Sequence, residues 1–244
     1  MALTKADTLD YLKNKITKSR IEDLMIVTGK MYEENREQIL ADIQSHFKGR
    51  TIVVRSSCSN EDSSDTSNAG HYDSILDVDA NDCDAVCRAI ETVFDSYRKD
   101  RMVIRDEQVL IQTQTKSIIS SGVIFSREIK TGRLYYAISY DEDSTDAVTS
   151  GSGGKTIYIA RTAESSSLPE HWSVLITAMR ELEDIFPEYP LDVEFAVGAD
   201  LAVTIFQVRP LAACIKKLEN PSAYKEDRAK NDRIFGKLIN KTKQ

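Results

Sequence analysis

Soft metal ligands are scarce in this chain: four cysteines (Cys58, Cys83, Cys87, Cys214) and three histidines (His46, His71, His171) are spread over 244 residues. Only Cys83 and Cys87 are close, and their i,i+4 spacing suits one face of a helix rather than a zinc knuckle. No thiolate–imidazole metal centre can be assembled from this set, and the thiols read as reduced and structural. Long apolar runs are missing as well. None approaches the ~20 residues of a membrane-spanning helix, and Met1–Asp10 lacks the apolar core of a signal peptide. The expected compartment is therefore the cytoplasm. Basic residues do not dominate: 32 Lys and Arg against 39 Asp and Glu give a formal charge of −7 and a pI near 5.2. That balance gives no general attraction to nucleic acid or anionic lipid, so any anion site has to be built locally. There is no internal repeat.

What is present is an ordinary globular mixture, 41% hydrophobic and 29% charged, long enough for one large domain or two packed lobes. Leu9, Leu12 and Ile16 recur at helical intervals from Thr4 to about Lys18, with Thr4 or Asp7 as cap. Ile39, Leu40, Ile43 and Phe47 mark the buried stripe of a second helix over roughly 33–47. Thr51-Ile-Val-Val-Arg55 is a β-branched strand feeding a polar loop from Ser56 to Gly70. A strand over 72–78 and an amphipathic helix over 83–98 follow. Strands are expected at 109–112, 121–126 and 134–140, the last two joined by the turn Lys130-Thr-Gly132. A polar stretch, Asp141–Lys155, precedes a strand at 156–160 and a helix at about 169–186. The pattern closes on a hairpin, Leu191–Val197 and Leu201–Val208, ended by Pro210. Beyond Ala213 the chain is polar, and 225–237 can form a helix or remain a linker. The order reads as α/β of an α+β kind, with mainly antiparallel sheets flanked by helices.

Two constellations carry chemistry. In the terminal hairpin, Asp192 and Glu194 lie two apart on one strand, and Gln207 and Arg209 two apart on the other, so each pair shares a face. Read alone, this fits the solvent side of an amphipathic hairpin. It equally fits a site in which carboxylates and an amide oxygen hold Mg²⁺ while a guanidinium neutralises a transferring phosphoryl group. The second constellation is Arg55 at a strand end, followed by small polar residues running to Ser67-Asn-Ala-Gly-His-Tyr-Asp-Ser74. Backbone N–H groups in such loops grip phosphate, although a serine-rich linker has the same composition.

Val54-Arg-Ser-Ser57, Glu61-Asp62, Ser67-Asn-Ala-Gly70, Ser121-Gly-Val-Ile-Phe-Ser126, Lys130-Thr-Gly132, Asp192-Val-Glu194 and Gln207-Val-Arg-Pro210 occur in the order found in the pyruvate phosphate dikinase and phosphoenolpyruvate synthase family. The chain resembles that family's N-terminal nucleotide-binding region over most of its length. The resemblance implies an atypical ATP-grasp fold that binds ATP between two lobes, divided here as 1–108 and 109–213, with 214–244 as tail. It implies an enzyme that cleaves Mg·ATP and phosphorylates a histidine on a separate swivelling domain, in the full-length chain or in another protein. A small-molecule acceptor then receives the group, and neither nucleic acid nor membrane is a partner.

Residue by residue, Lys5 resembles a lysine that contacts the ATP phosphates, and Arg55 a phosphate-binding arginine. Gly70 and Ser74 match the loop that closes over the phosphates, with serine where threonine is frequent. Gln112 matches a nucleotide-contacting position. Glu194 and Gln207 resemble the metal- and phosphate-contacting pair, supported by Asp192, and Arg209 a second phosphoryl-stabilising arginine. Asp146-Ala-Val-Thr-Ser-Gly151 departs from the family's glycine-rich segment, and Tyr135–Asp141 with Thr145–Gly151 resembles a synthase-like branch that includes glutamine kinase. No Gly-Gly-x-x-Ser-His motif is present, so the phosphorylated histidine is expected outside these residues; His71 in the loop is a contact or packing residue. Two other readings stand beside this one: a carboxylate–amine ligase on the same fold, and a nucleotide-binding module without turnover.

Overall fold

The computed structural model describes residues 4–58, 74–99, 102–129, 132–142 and 154–211. Glu61, Asp62, Gly70, His71, the Asp146–Gly151 segment, Cys214 and the polar tail lie outside them. The chain forms two compact units, one of Met1–Lys15 with Ile21–Lys116, the other of Ile16–Arg20 with Ser117–Gln244. Among the described residues no helix is long and apolar enough to cross a membrane.

The first unit begins with α1 (Lys5–Lys13). Thr4 caps it by accepting the Asp7 N–H, and the Asp7 side chain reaches back to the Thr4 N–H, a reciprocal capping box. The helix stops at Lys13, short of the expected 18, because Ile16–Arg20 is taken by the other unit. There the Glu181 carboxylate accepts the Thr17 and Lys18 N–H groups and the Thr17 hydroxyl at 2.7–3.0 Å. Arg20 adds a parallel bridge, with its N–H on Val203 O and its carbonyl on Ile205 N–H.

Then come β1 (Leu24–Thr28), α2 (Gly29–His46), β2 (Thr51–Ser57), β3 (Ser74–Asp79), α3 (Cys83–Lys99) and β4 (Gln108–Thr113). The strands make an antiparallel sheet in the order β1-β4-β2-β3. Strand β1 was not expected from sequence. The loop expected from Ser56 starts later, since β2 runs on to Ser57 in register with β4. Helix α2 also starts earlier than expected, capped by Thr28, and departs from helical geometry at Asn35 (φ −141°, ψ 40°). Helices α2 and α3 cover one sheet face: Ile39, Ile43, Val86, Ile90, Val93 and Phe94 pack with Val27, Ile52, Val54, Val109 and Ile111. Burying each large apolar side chain contributes about 1.5–3 kcal/mol.

Because side chains alternate along a strand, Val53, Arg55 and Ser57 on β2 and Gln108, Leu110 and Gln112 on β4 share the opposite face. Helix α1 attaches to that face. The Ala6 N–H donates to Ser57 Oγ at 2.9 Å, and Gln108 bonds both Thr4 and Asp7. Strand β4 therefore lies inside the first sheet, and the expected boundary at 108/109 is corrected to Lys116/Ser117.

The second unit contains β5 (Ile118–Phe125), β6 (Tyr135–Glu142), β7 (Lys155–Ala160), α4 (Glu170–Ile185), β8 (Leu191–Gly198) and β9 (Val203–Pro210). Its antiparallel sheet has the order β7-β6-β5-β8-β9. At the β5–β6 connection Gly132 sits at φ +71°, where a side chain would strain the backbone, and its N–H closes onto Glu128 O. One face of this sheet meets α4: the Tyr136 hydroxyl donates to Glu183 at 2.8 Å, and Tyr140 stacks edge-on against Trp172. Val193 and Phe195 are fully buried on that side. The other face carries the polar residues.

Candidate nucleotide site

In the first unit, Arg55 is buried near the end of β2 and stands opposite Leu110 on β4 and opposite Ser74, the exposed first residue of β3. Lys5 opens α1, and its neighbour Ala6 is the residue tied to Ser57, two along from Arg55 on the same face. Gln112 is one cross-strand step diagonal to Arg55, opposite Val53. Its side chain is 2% exposed, and Nε2 has no hydrogen-bond partner among the described residues. An unsatisfied buried amide costs about 1–3 kcal/mol, so the apo chain holds a donor that a ligand can satisfy. The first unit thus gathers Lys5, Arg55, Ser74 and Gln112 on one side of its sheet. Gly70 is outside the described residues.

In the second unit the expected face is formed. Asp192 stands opposite Arg209 and Glu194 opposite Gln207. The Arg209 Nε–H donates to Asp192 Oδ2 at 2.9 Å, with side-chain exposures of 20% and 11%. The ladder then shifts: Glu194 pairs with Gln207 but Phe195 with Ile205, leaving Phe206 as an extra residue. That bulge decides the site. Without it Glu194 would face Phe206, and Gln207 would fall on the α4 side, where Val208 lies. The signal was present in the sequence, since Ile205 and Val208, both core residues, are three apart and break strict alternation.

The same face extends across the sheet in rows. Thr156, Ser139, Val123, Glu194 and Gln207 are successive cross-strand partners, and Ser139 and Thr156 share a hydrogen bond at 3.2 Å. Sequence reading named neither hydroxyl, because β6 and β7 acquire their register only in the sheet.

These side chains suit a nucleotide and a hard cation. Glu194 brings a carboxylate and Gln207 an amide oxygen to one cross-strand position. Asp192 commits Oδ2 to Arg209, so it supports the arginine as much as it offers a ligand. No group of three or more His, Cys, Asp or Glu able to hold a metal occurs among the described residues. A protein set this small is what Mg²⁺ accepts when phosphate oxygens and water complete its shell, so the residues fit that ion as a companion of a polyphosphate.

Two antiparallel sheets with flanking helices, one sheet in each unit, make a protein of ATP-grasp fold. The sequence matches the model for the pyruvate phosphate dikinase AMP/ATP-binding domain over residues 2–153, and the chain belongs to that family. No curated protein matches the sequence. Among solved structures it is similar in fold to the dinucleotide-forming acetyl-coenzyme A synthetase 1 of Ca. Korarchaeum cryptofilum, with TM-score 0.53 and 7% identity over 84% of this chain and 91% of that one. It is also similar to D-alanine-D-alanine ligase from Helicobacter pylori, with TM-score 0.49 and 14% identity over 93% of this chain and 57% of that one. D-alanyl-alanine synthetase A from Vibrio cholerae gives TM-score 0.48 and 12% identity over 93% and 63%. The chain thus spans about 60% of the length of these two ligases. Nucleotide binding is the property that the family match, to an AMP/ATP-binding domain, assigns to it.

Proposed function

We propose that this chain cleaves Mg·ATP and passes a phosphoryl group to a histidine on a separate swivelling domain, which delivers it to a small-molecule acceptor. The observation that supports this most is the β8–β9 register, which stands Glu194 against Gln207 and Asp192 against Arg209 on one sheet face in a chain of the dikinase nucleotide-binding family. A bound Mg²⁺ would supply Lewis-acid neutralisation of phosphate charge. Glu194 and Gln207 would hold it, with Asp192 as a further oxygen donor.

The chain's own residues do the rest. Arg209, fixed by Asp192, neutralises charge developing on the transferring group, and Arg55 and Lys5 are the basic groups that the family resemblance assigns to ATP phosphates. Ser74 offers a hydroxyl to the phosphates. Gln112 donates its buried Nε2–H to the nucleotide. The histidine imidazole attacks phosphorus in line, the bond to the leaving phosphate oxygen breaks, and the nucleotide leaves with the electron pair.

The test supplies the histidine-bearing domain, from the full-length chain or the neighbouring reading frame, and follows ATP consumption with calorimetry in parallel. ATP binding together with receiver-dependent cleavage is expected. Binding without cleavage or exchange would mark a nucleotide-binding module, and cleavage that requires a carboxylate and an amine would mark a ligase.

A further inference from the structure

The second unit holds a buried ion pair that the reaction above does not use. Arg161, just past β7, lays its guanidinium on both oxygens of Glu183 from α4, with Nη2–Oε2 at 3.0 Å. Their side chains are 8% and 1% exposed. The Tyr136 hydroxyl donates to the same carboxylate at 2.8 Å, and the guanidinium carbon lies 4.9 Å from the centre of the Tyr136 ring. Taking two charges out of water is expensive, and apolar residues of equal volume often stabilise a core as well or better. Stability alone is therefore a poor reason for this pair.

A further contact gives a better one. Arg161 Nη1 also donates to the Ser126 carbonyl at 3.1 Å. Ser126, fully buried just beyond β5, is tied to Leu191 twice: its N–H donates to Leu191 O at 2.9 Å, and its Oγ accepts the Leu191 N–H at 2.7 Å. Leu191 is the residue before Asp192, and Asp192 holds Arg209. A path of hydrogen bonds and one peptide link thus runs within this unit from Glu183 through Arg161, Ser126 and Leu191 to the Asp192–Arg209 pair.

We infer that Arg161 and Glu183 are positioning residues, clamping Ser126 and the start of β8 so that Asp192 presents Arg209 in one orientation. The inference rests on the phosphoryl-transfer reading for its effect on rate, though not for its effect on Arg209. Supporting contacts of this kind typically matter about 10–100-fold to the groups they orient. A guanidinium misplaced by about 1 Å loses most of its use in a transition state.

The experiment supplies the histidine-bearing domain and compares wild type with Glu183→Gln, Ser126→Ala and Tyr136→Phe, each also in an Arg209→Lys background. Tyr136→Phe and Ser126→Ala remove one hydrogen bond each and leave both charges in place, so a fold that fails in Glu183→Gln still leaves two informative variants. Glu183→Gln and Ser126→Ala are expected to lower kcat about tenfold or more with KM for ATP within about threefold, and Tyr136→Phe to act in the same direction but less. In the Arg209→Lys background the same changes should cost less than about threefold, because the group they orient is already gone. Equal losses in both backgrounds, or a lowered Tm with unchanged kcat, would overturn the inference.

If wild type does not cleave ATP, the phosphoryl-transfer reading fails by itself and the positioning is read directly. The Arg209 Nε–H resonance, observed by ¹⁵N NMR without nucleotide, should exchange with water about tenfold faster in Ser126→Ala and Glu183→Gln than in wild type. Unchanged exchange would sink the proposal.

Discussion

Arg209 donates its Nε–H to the carboxylate of Asp192, its direct partner across the β8–β9 ladder, at 2.9 Å. One step along the same strands Glu194 stands opposite Gln207 instead. Two acidic residues that look equivalent in sequence therefore have different duties. Asp192→Asn should lower turnover about tenfold or more through Arg209, with little change in the Mg²⁺ concentration for half-maximal rate. Glu194→Gln should raise that concentration about tenfold or more. A Mg²⁺ titration of both variants separates the roles; the reverse pattern would make Asp192 the principal ligand.

Removing a charge that acts on the transferring group should be severe. Arg55→Ala and Glu194→Ala are each expected to raise the barrier by on the order of 3 kcal/mol or more, about a hundredfold or greater in kcat, with an unchanged circular-dichroism spectrum. Wild-type turnover in either variant would remove that residue from the mechanism.

Gln112 links stability to binding in the opposite sense. Its buried Nε2 has no partner among the described residues, so replacing the amide by a thioether of similar size removes a penalty of about 1–3 kcal/mol from the apo state. Gln112→Met should therefore melt at the same temperature as wild type or higher without ligand. It should gain less from ATP, its affinity falling about tenfold as one hydrogen bond is lost. Thermal melts with and without ATP check both halves. A destabilised apo protein with unchanged affinity would show that Gln112 is a structural residue.

Much of this was legible because the signals were local. The β8–β9 hairpin announced itself by alternation, α3 by its apolar stripe, and α1 by Leu9 and Leu12 at helical spacing. What stayed hidden depends on distant partners. Strand β1 pairs with β4, 80 to 88 residues downstream by the numbering, and carries no alternation of its own. Ile16 continued the helical period of α1, yet the Glu181 carboxylate claims the next two residues for the other unit. The family resemblance named Gln207 and Arg209, but the bulge at Phe206 that turns them to the face of Glu194 is a property of the pairing. Glu183 could have been noticed: it falls on the stripe of Trp172, Ile176 and Met179, where a carboxylate needs a partner, and that partner lies in another element.

The Asp23 carboxylate sets an acid limit on the first unit. Burial alone would raise it, but hydrogen bonds from Lys13, His46 and Arg50, at 2.9–3.1 Å, outweigh that and hold it below its ordinary value. With the folded value below the unfolded one, the stabilisation is fully present above about pH 4 and is lost as pH falls through the lowered folded value. Asp23→Asn should thus unfold more easily than wild type at neutral pH, and the two should converge as pH falls below the lowered folded value. Urea titrations across that range test it, and a difference that persists or grows in acid would reverse the sign argued here.

The central claim is transfer of phosphorus from ATP to an imidazole, and it is most directly tested by following the label. Incubating the chain and the histidine-bearing domain with Mg²⁺ and ATP labelled in its β and γ phosphates should leave radioactivity on that domain in an acid-labile, alkali-stable bond. Arg55→Ala and Glu194→Ala should abolish the labelling. Label recovered only as free phosphate, with an amide formed from an added carboxylate and amine and no labelled histidine, would contradict the account.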